Sequence, residues 1–171
     1  MPDSLTAECR VRFDAGRLTS DGGLVWLARA DTRLGLSATF ARQMREWRRG
    51  PVRHPLAVLL RQRILQIACG DEDQDDADTL RYDPLLKWAC GRRPDSGADL
   101  ASQPTLSRLE NAVNARTCLR LAQALLGLYL HERERLSQQH AGRLPQQILL
   151  DLDGTDVPTH GEQEGSAYHG Y

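Results

Sequence analysis

Residues 147–158 read Gln147-Ile-Leu-Leu-Asp-Leu-Asp-Gly-Thr-Asp-Val-Pro158, an apolar run that leads into two carboxylates and a Gly-Thr turn. Successive side chains of an extended chain point to opposite faces, so Asp151 and Asp153 are predicted to share one face where a buried strand ends. Two acids in that arrangement favour a divalent-metal or phosphoryl-transfer site. The stretch therefore predicts the first strand of an α/β unit, with Asp151 and Asp153 as candidate metal ligands.

Upstream of this strand the sequence predicts a mainly α-helical region. Apolar residues recur at helical spacing in several segments, and Gly and Pro residues separate one segment from the next. Helices are predicted at 24–34, 37–47, 55–69, 77–82 and 84–90, from 102 onward, and at 116–136. The longest carries one apolar stripe, composed of Leu119, Ala122, Leu126, Tyr129 and Leu130. The alternating residues 9–14 predict a short strand near the N-terminus.

A polar segment divides the chain into a long helical part and a short C-terminal part. The predicted organisation is a helical region at 1–136, a linker at 137–146 and the start of a second domain at 147–171. No run of eighteen apolar residues and no signal sequence occurs, which predicts a cytoplasmic protein without a membrane partner. The four cysteines form no CxxC pair, so zinc knuckles and disulfide frameworks are not expected.

Positive charge is concentrated in the first part of the chain. The net charge is −1, yet residues 1–70 carry twelve Arg against six acids, whereas residues 71–171 carry ten basic residues against seventeen acids. Residues 42–53 hold five Arg and one Glu, and this density suits contact with nucleic-acid phosphates. The candidate contacts are Arg45, Arg48, Arg49 and Arg53. The alternative is a solvated helix end with Trp47 in the core.

Residues 102–111, Ser-Gln-Pro-Thr-Leu-Ser-Arg-Leu-Glu-Asn, are similar to the start of a DNA recognition helix. Leu106, Leu109 and Val113 form the stripe predicted to be buried. Phosphate or base-edge contacts are predicted for the exposed polar residues, with Arg116 from the next helix added: Thr105, Arg108, Asn111 and Arg116. The preceding helix lies too far upstream for a tight helix-turn-helix, so a capped helix without a DNA role is the alternative.

Two other polar clusters are not expected to bind metal. The acidic run 71–78 lacks the Gly and Glu that an EF-hand requires at its sixth and twelfth positions, and helix capping explains it better. The C-terminal residues His160, Glu162, Glu164 and His169 lack the HExxH spacing of a zinc site.

The motif Asp151-Leu-Asp-Gly-Thr155 resembles two enzyme families. One is the haloacid-dehalogenase-like phosphatases, in which Asp151 would be the nucleophile and Asp153 the acid/base. The other is the DDE transposases, in which an Asp before Gly-Thr on the first strand of a ribonuclease H-like core binds catalytic metal. The phosphatase motif usually lies near the N-terminus, and Asp156 replaces the apolar residue that usually follows the Thr.

Several further stretches, in order along the chain, resemble bacterial insertion-sequence DDE transposases. They are Leu18-Thr-Ser-Asp-Gly-Gly-Leu24, Leu59-Leu-Arg-Gln-Arg-Ile64, Gly70 to Pro84, Leu100 to Asn111 and Leu150 to Gly161. The resemblance implies a helical DNA-binding region followed by a ribonuclease H-like α/β domain. It also implies two Mg²⁺ ions held by Asp, Asp and Glu, with Asp153 as the first catalytic acid and Asp151 in reserve.

The remaining expectations follow from this resemblance. The second Asp and the Glu would lie beyond Tyr171, so we expect a truncated transposase that is catalytically inactive alone. The expected partners are double-stranded DNA at transposon ends, together with a second copy of the chain or a full-length transposase. A third interpretation is a non-catalytic DNA-binding regulator of a full-length transposase.

Overall fold

The computed structural model describes Gly16, residues 18–139 and Leu149. This part of the chain contains α1 (Leu24–Leu34), α2 (Leu36–Gln43), α3 (Leu56–Cys69), α4 (Ala77–Leu80), α5 (Pro84–Ala89), α6 (Gln103–Asn111) and α7 (Ala115–Gln139). No strand occurs within it, which confirms the mainly α-helical prediction for this region. The predicted strands at 9–14 and 147–152 lie outside the described residues, apart from Leu149, and so do Asp151 and Asp153.

Two of the predicted helix ends coincide with left-handed glycines. Gly35 has φ 68° and donates its N–H to the Asp31 carbonyl, and Gly70 has φ 97° and closes the last turn of α3. A side chain at either position would be strained, which explains why Gly ends both helices.

The predicted second helix is wrong in its C-terminal part. It was expected to continue through Trp47, but α2 ends at Gln43 and Met44 adopts an extended conformation with φ −102° and ψ 144°. Met44 is buried and Trp47 packs against the same apolar cluster. An extended chain lets both residues reach that cluster, and this tertiary packing outweighs the helical tendency of the segment.

Two apolar clusters make up the core of the described region. The first joins α1, α3 and α5 through Leu24, Ala28, Leu65, Leu86, Ala89, Cys90 and Leu100. The second joins α3 and α6 to the segment after α2 through Met44, Leu59, Leu60, Ala77, Ala101, Leu106 and Leu109. Because α3 contributes to both clusters, it is the central helix of the described region.

The buried face of α3 differs from the apolar stripe that helical spacing predicts for it, which consists of Leu56, Leu59, Leu60, Ile64, Ile67 and Ala68. Ile67 and Ala68 are exposed, whereas Gln62 and Gln66 are buried. The Gln62 side-chain amide donates from Nε2 to the Ala101 carbonyl and accepts at Oε1 from the Ala101 N–H, both at 2.9 Å. The paired amide satisfies a buried stretch of backbone just before α6, which apolar residues could not do.

An aspartate joins the first three helices. Asp31 is buried near the end of α1, and its carboxylate accepts from the Ser37 N–H at 2.8 Å and the Ser37 hydroxyl at 2.7 Å. Arg61 of α3 lies 3.4 Å from the same carboxylate and also donates to the Ala28 carbonyl. Ser is a common N-cap residue, so the sequence predicts that Ser37 caps the second helix, but Ser37 lies inside α2 and bonds to Asp31 instead.

The acidic run is held by an arginine and by the start of α6. Arg63 donates to the Asp71 and Glu72 carbonyls and pairs with Glu110 at 2.6 Å. Asp78 accepts from the Gln103 N–H at 3.1 Å, so it caps α6 instead of α4. This run therefore holds α6 against α3, and helix capping accounts for part of it, as expected.

Two buried polar residues lie between α5 and neighbouring loops. Lys87, the single lysine of the sequence, is 1% exposed and its Nζ lies 3.9 Å from Asp99 Oδ1. His54 is buried, its carbonyl accepts from Arg48 at 2.7 Å, and its Nδ1 lies 3.2 Å from Arg92 Nη2. Burial, and next the Arg92 charge, lower the pKa of His54 to about 4.

The cysteines do not share one environment. Cys90 is buried and its pKa is raised to about 12 by burial, which makes it an inert core thiol. Cys118 is exposed on α7. The wide spacing of the four cysteines in the sequence predicts reduced core thiols, and this prediction is wrong for Cys118.

Helix α7 is longer than predicted. It continues through Gln139, and the residues of its predicted apolar stripe are exposed. The helix packs on α2 through its other side, where Leu121, Ala124 and Leu128 are half-buried.

We predict that the two buried glutamines of α3 respond oppositely to the same substitution. Gln62→Met should lower the free energy of unfolding by about 2–4 kcal/mol, because the Ala101 N–H and carbonyl would lose their partners. Gln66→Met should be neutral or stabilising, because the Gln66 amide atoms meet no hydrogen-bond partner among the described residues. Urea unfolding of both variants measures this, and equal losses would contradict it.

We also predict that acidification destabilises the fold through His54. Its folded pKa is about 4 against 6.5 ordinarily, so its contribution is complete above pH 6.5. As the pH falls from 6.5 to 4, the unfolded state binds a proton that the folded state does not, and on the order of 2 kcal/mol is lost. His54→Gln should flatten unfolding free energy against pH in this range, whereas exposed His131→Gln should not. An unchanged pH dependence in His54→Gln would refute this explanation.

Candidate nucleic-acid interface

The basic segment that follows α2 is extended, and its side chains divide between core and solvent. Met44 and Trp47 pack into the second core cluster. Arg45, Arg49 and Arg53 are exposed. Because the two inward side chains fix the segment on the core, the three arginines are held on an anchored stretch of backbone.

Arg48 has a different environment from the other predicted arginines. Its Nε and Nη2 donate to the two carboxylate oxygens of Glu46, each at 2.6 Å, and its Nη1 donates to the His54 carbonyl at 2.7 Å. Its guanidinium also lies over the Trp47 ring, 5.3 Å from the centroid. These contacts brace the loop between Glu46 and His54, so most of the hydrogen-bonding capacity of Arg48 is used within the protein.

A small cleft separates this segment from the turn between α6 and α7. Its volume is about 150 Å³, and it is lined by Met44, Arg45, Trp47, Ala112, Asn114, Thr117 and Arg120. Arg45 therefore lies beside the first turns of α7, on which Arg116 is also exposed. The basic segment and the polar residues of α6 and α7, which were predicted separately from the sequence, therefore lie next to each other in the structure.

The outer face of α6 carries the polar residues predicted from the sequence. Leu106 and Leu109 are buried as expected, and Arg108 and Asn111 are exposed. Thr105 is half-buried, and its hydroxyl accepts from Arg108 Nη2 at 3.2 Å. The Asn111 amide donates to Ser107 Oγ at 3.2 Å.

Glu110, the acidic residue of α6, does not neutralise the positive charge of Arg108 on the outer face of the helix. Glu110 pairs with Arg63 and also accepts from Gln74. Its charge is therefore compensated from α3, and Arg108 is the remaining charged residue of α6. This arrangement makes the exposed side of α6 compatible with an anionic partner.

Sequence reasoning missed the residues at the start of α7. Asn114 Oδ1 accepts from the Thr117 N–H at 3.0 Å and so caps the helix. Arg120 lies one helical turn after Arg116 and donates to the Thr117 hydroxyl at 3.1 Å. The four-residue spacing of Arg116 and Arg120 was the available signal, since residues four apart share a helix face.

The predicted metal ligands, Asp151 and Asp153, lie outside the described residues. Within residues 18–139 no group of three or more His, Cys, Asp or Glu side chains is arranged to hold a metal ion. The helices described are also too short or too polar to cross a membrane.

Comparison with known proteins identifies the family of the chain. Searches of curated proteins and of solved structures found no match. The family model described as "Transposase DDE domain group 1" matches residues 2–171, which is nearly the whole sequence. This match does not favour the phosphatase interpretation of the Asp151-Leu-Asp-Gly-Thr155 motif. The chain belongs to the DDE transposases.

Proposed function

We propose that the helical region binds double-stranded DNA at transposon ends and so positions the transposase for DNA transposition. Family membership supports DNA as the substrate. The observation that carries the proposal is the anchored basic segment beside α6 and the start of α7. An anchored backbone loses less conformational entropy on binding than a mobile loop does, and this favours affinity.

The proposed contacts fall into two chemical classes. Arg45, Arg49 and Arg53 are exposed cations suited to backbone phosphates, and Arg116 adds a charge at the start of α7. Thr105, Arg108 and Asn111 occupy the polar face of α6, where Arg and Asn side chains can pair with base edges. Arg48 is proposed to act indirectly, because its bonds to Glu46 and His54 shape the segment.

The catalytic proposal rests on family membership and on the motif at 151–155. Asp153 is proposed as the first catalytic acid and a metal ligand, with Asp151 beside it. Asp153 and Asp151 would help to hold Mg²⁺, which would supply Lewis-acid activation of water or of a DNA 3′-hydroxyl for attack on a phosphate. Such chemistry needs carboxylates that converge from several elements, and only these two acids of the chain match the family pattern.

We predict that removing the three exposed arginines of the basic segment weakens DNA binding through lost phosphate contacts. Arg45→Gln/Arg49→Gln/Arg53→Gln should make the plot of log affinity against log salt shallower by about two to three units, since each contact contributes about 0.9. Fluorescence anisotropy with labelled transposon-end duplex at several salt concentrations measures the slope. Arg29→Gln/Arg33→Gln removes two exposed charges from α1, and the change in slope per charge removed should be much smaller in this control.

The same titration separates base recognition from phosphate contact. Arg108→Ala and Asn111→Ala should reduce the preference for end DNA over random duplex, while thermal stability stays nearly unchanged. Leu106→Ala and Leu109→Ala should instead cost about 3 kcal/mol of stability, because both side chains are buried. The proposal fails if the wild-type protein shows no binding at low salt. It also fails if the triple arginine variant of the basic segment and the double arginine variant of α1 change DNA binding equally.

We predict that this chain alone does not cleave or join DNA with Mg²⁺ or Mn²⁺. In a transposase that contains this chain and the other family acids, Asp153→Ala should abolish cleavage and leave end binding nearly intact. Asp151→Ala should be milder. Gel assays of strand cleavage test both statements. Cleavage by this chain that disappears in Asp153→Ala would overturn the first, and full activity of Asp153→Ala in the longer protein would overturn the second.

A further inference from the structure

The cleft between the basic segment and the start of α7 carries positive charge that no acid in its lining compensates. Two arginines line it, Arg45 from the basic segment and Arg120 from α7, and the described residues that line it include no acidic side chain. The nearest acids in the sequence, Glu46 and Glu110, are each paired with another arginine. A concave site with charge of one sign attracts ions of the opposite sign, so the cleft favours an anion.

The volume of the cleft limits the size of that anion. The cleft measures about 150 Å³. This is the space of roughly five water molecules at about 30 Å³ each in the liquid. Pockets for drug-sized molecules are larger, roughly 300–1,000 Å³. A single tetrahedral phosphate group therefore fits the cleft, whereas a whole nucleotide is too large for it.

The guanidinium group of Arg120 is held in place by one bond and retains an unsatisfied donor. Its Nη2 donates to the Thr117 hydroxyl at 3.1 Å, and both residues line the cleft. Its Nε is buried and has no hydrogen-bond partner among the described residues. A buried donor without an acceptor costs free energy, and a phosphate oxygen in the cleft would supply the acceptor.

Two further donors line the same cleft. The Asn114 side chain caps α7 through Oδ1, which accepts from the Thr117 N–H and hydroxyl, so the capping bonds do not use its Nδ2. Arg45 is exposed, and it directly follows Met44, whose side chain is buried in the core. Together with Arg120, these groups offer several N–H donors and two positive charges to one anion. Charge-assisted hydrogen bonds of this kind bind phosphate strongly.

We propose that this cleft binds one backbone phosphate of the DNA, with Arg120 and Arg45 as its principal contacts. The inference rests on the proposed binding of double-stranded DNA and adds a defined site for one phosphate. The site is formed by two segments, the basic segment and α7, which are far apart in the sequence. A phosphate held between them fixes the position of the duplex on the protein, which is the usual role of phosphate contacts.

Transposon-end duplexes in which one phosphate at a time is replaced by an uncharged methylphosphonate test the proposal, with affinity measured by fluorescence anisotropy. For the wild-type chain, one position should lower the affinity about tenfold more than its neighbours, because charge-assisted hydrogen bonds are lost there. In Arg120→Gln and in Arg45→Gln, that position should cost no more than its neighbours. Arg45 is exposed, so its variant tests the site without disturbing the fold. Arg29→Gln removes an exposed charge from α1 and should keep the wild-type pattern.

The outcomes separate this inference from the proposed function. If the wild-type chain binds no duplex, both are overturned. If it binds duplex but no position loses its effect in the two arginine variants, this inference alone is overturned.

Thermal unfolding in sodium phosphate and in sodium chloride of equal ionic strength distinguishes DNA from the free anion. Stabilisation by phosphate that Arg120→Gln abolishes, without any position that responds in the duplex series, would show that the cleft binds free phosphate. That result would also contradict the proposal.

Discussion

The arrangement of the described helices depends on the two hydrogen bonds between the Gln62 amide and the backbone of Ala101. They join the middle of α3 to Ala101, two residues before the start of α6, although Gln62 and Ala101 are 39 positions apart. Both groups are fully buried, so each bond replaces water that is no longer accessible. The position of α6, and with it the α6–α7 turn beside the basic segment, follows from this contact.

The arginines of the first half of the chain have two separate roles. Arg48, Arg61 and Arg63 direct their guanidinium groups to carbonyls and carboxylates of the protein and so join helices to loops. Arg45, Arg49 and Arg53 remain exposed on the segment that these contacts help to shape. The charge density of the sequence thus combines internal bracing with an outward cationic surface, and only the structure separates the two groups.

Sequence periodicity and local residue chemistry were sufficient to predict helix ends and buried faces that depend on neighbouring residues of the chain. Gly35 and Gly70 end their helices, and Leu106 and Leu109 mark the inner face of α6 as expected. Periodicity was insufficient where long-range contacts decide. The end of α2 depends on where Met44 and Trp47 find a core, and the inner face of α3 depends on a backbone partner for Gln62.

The candidate site was predicted to a similar extent. Arg108 and Asn111 are exposed on α6, and their proximity to the basic segment could not be read from the sequence, because it depends on the second core cluster. The apolar stripe of α7 was recognised from its spacing in the sequence. Spacing alone, however, does not tell whether those side chains face their own chain or another molecule.

The burial of Lys87 determines how the protein can be chemically modified. It is the single lysine of the sequence and is 1% exposed, so the folded chain presents no lysine amine to solvent. Acylation or methylation of lysine therefore cannot change the positive charge of its surface, to which guanidinium groups contribute instead. An amine-reactive reagent would reach this side chain only when α5 separates from the Asp99 loop, so its labelling rate reports local opening of the fold.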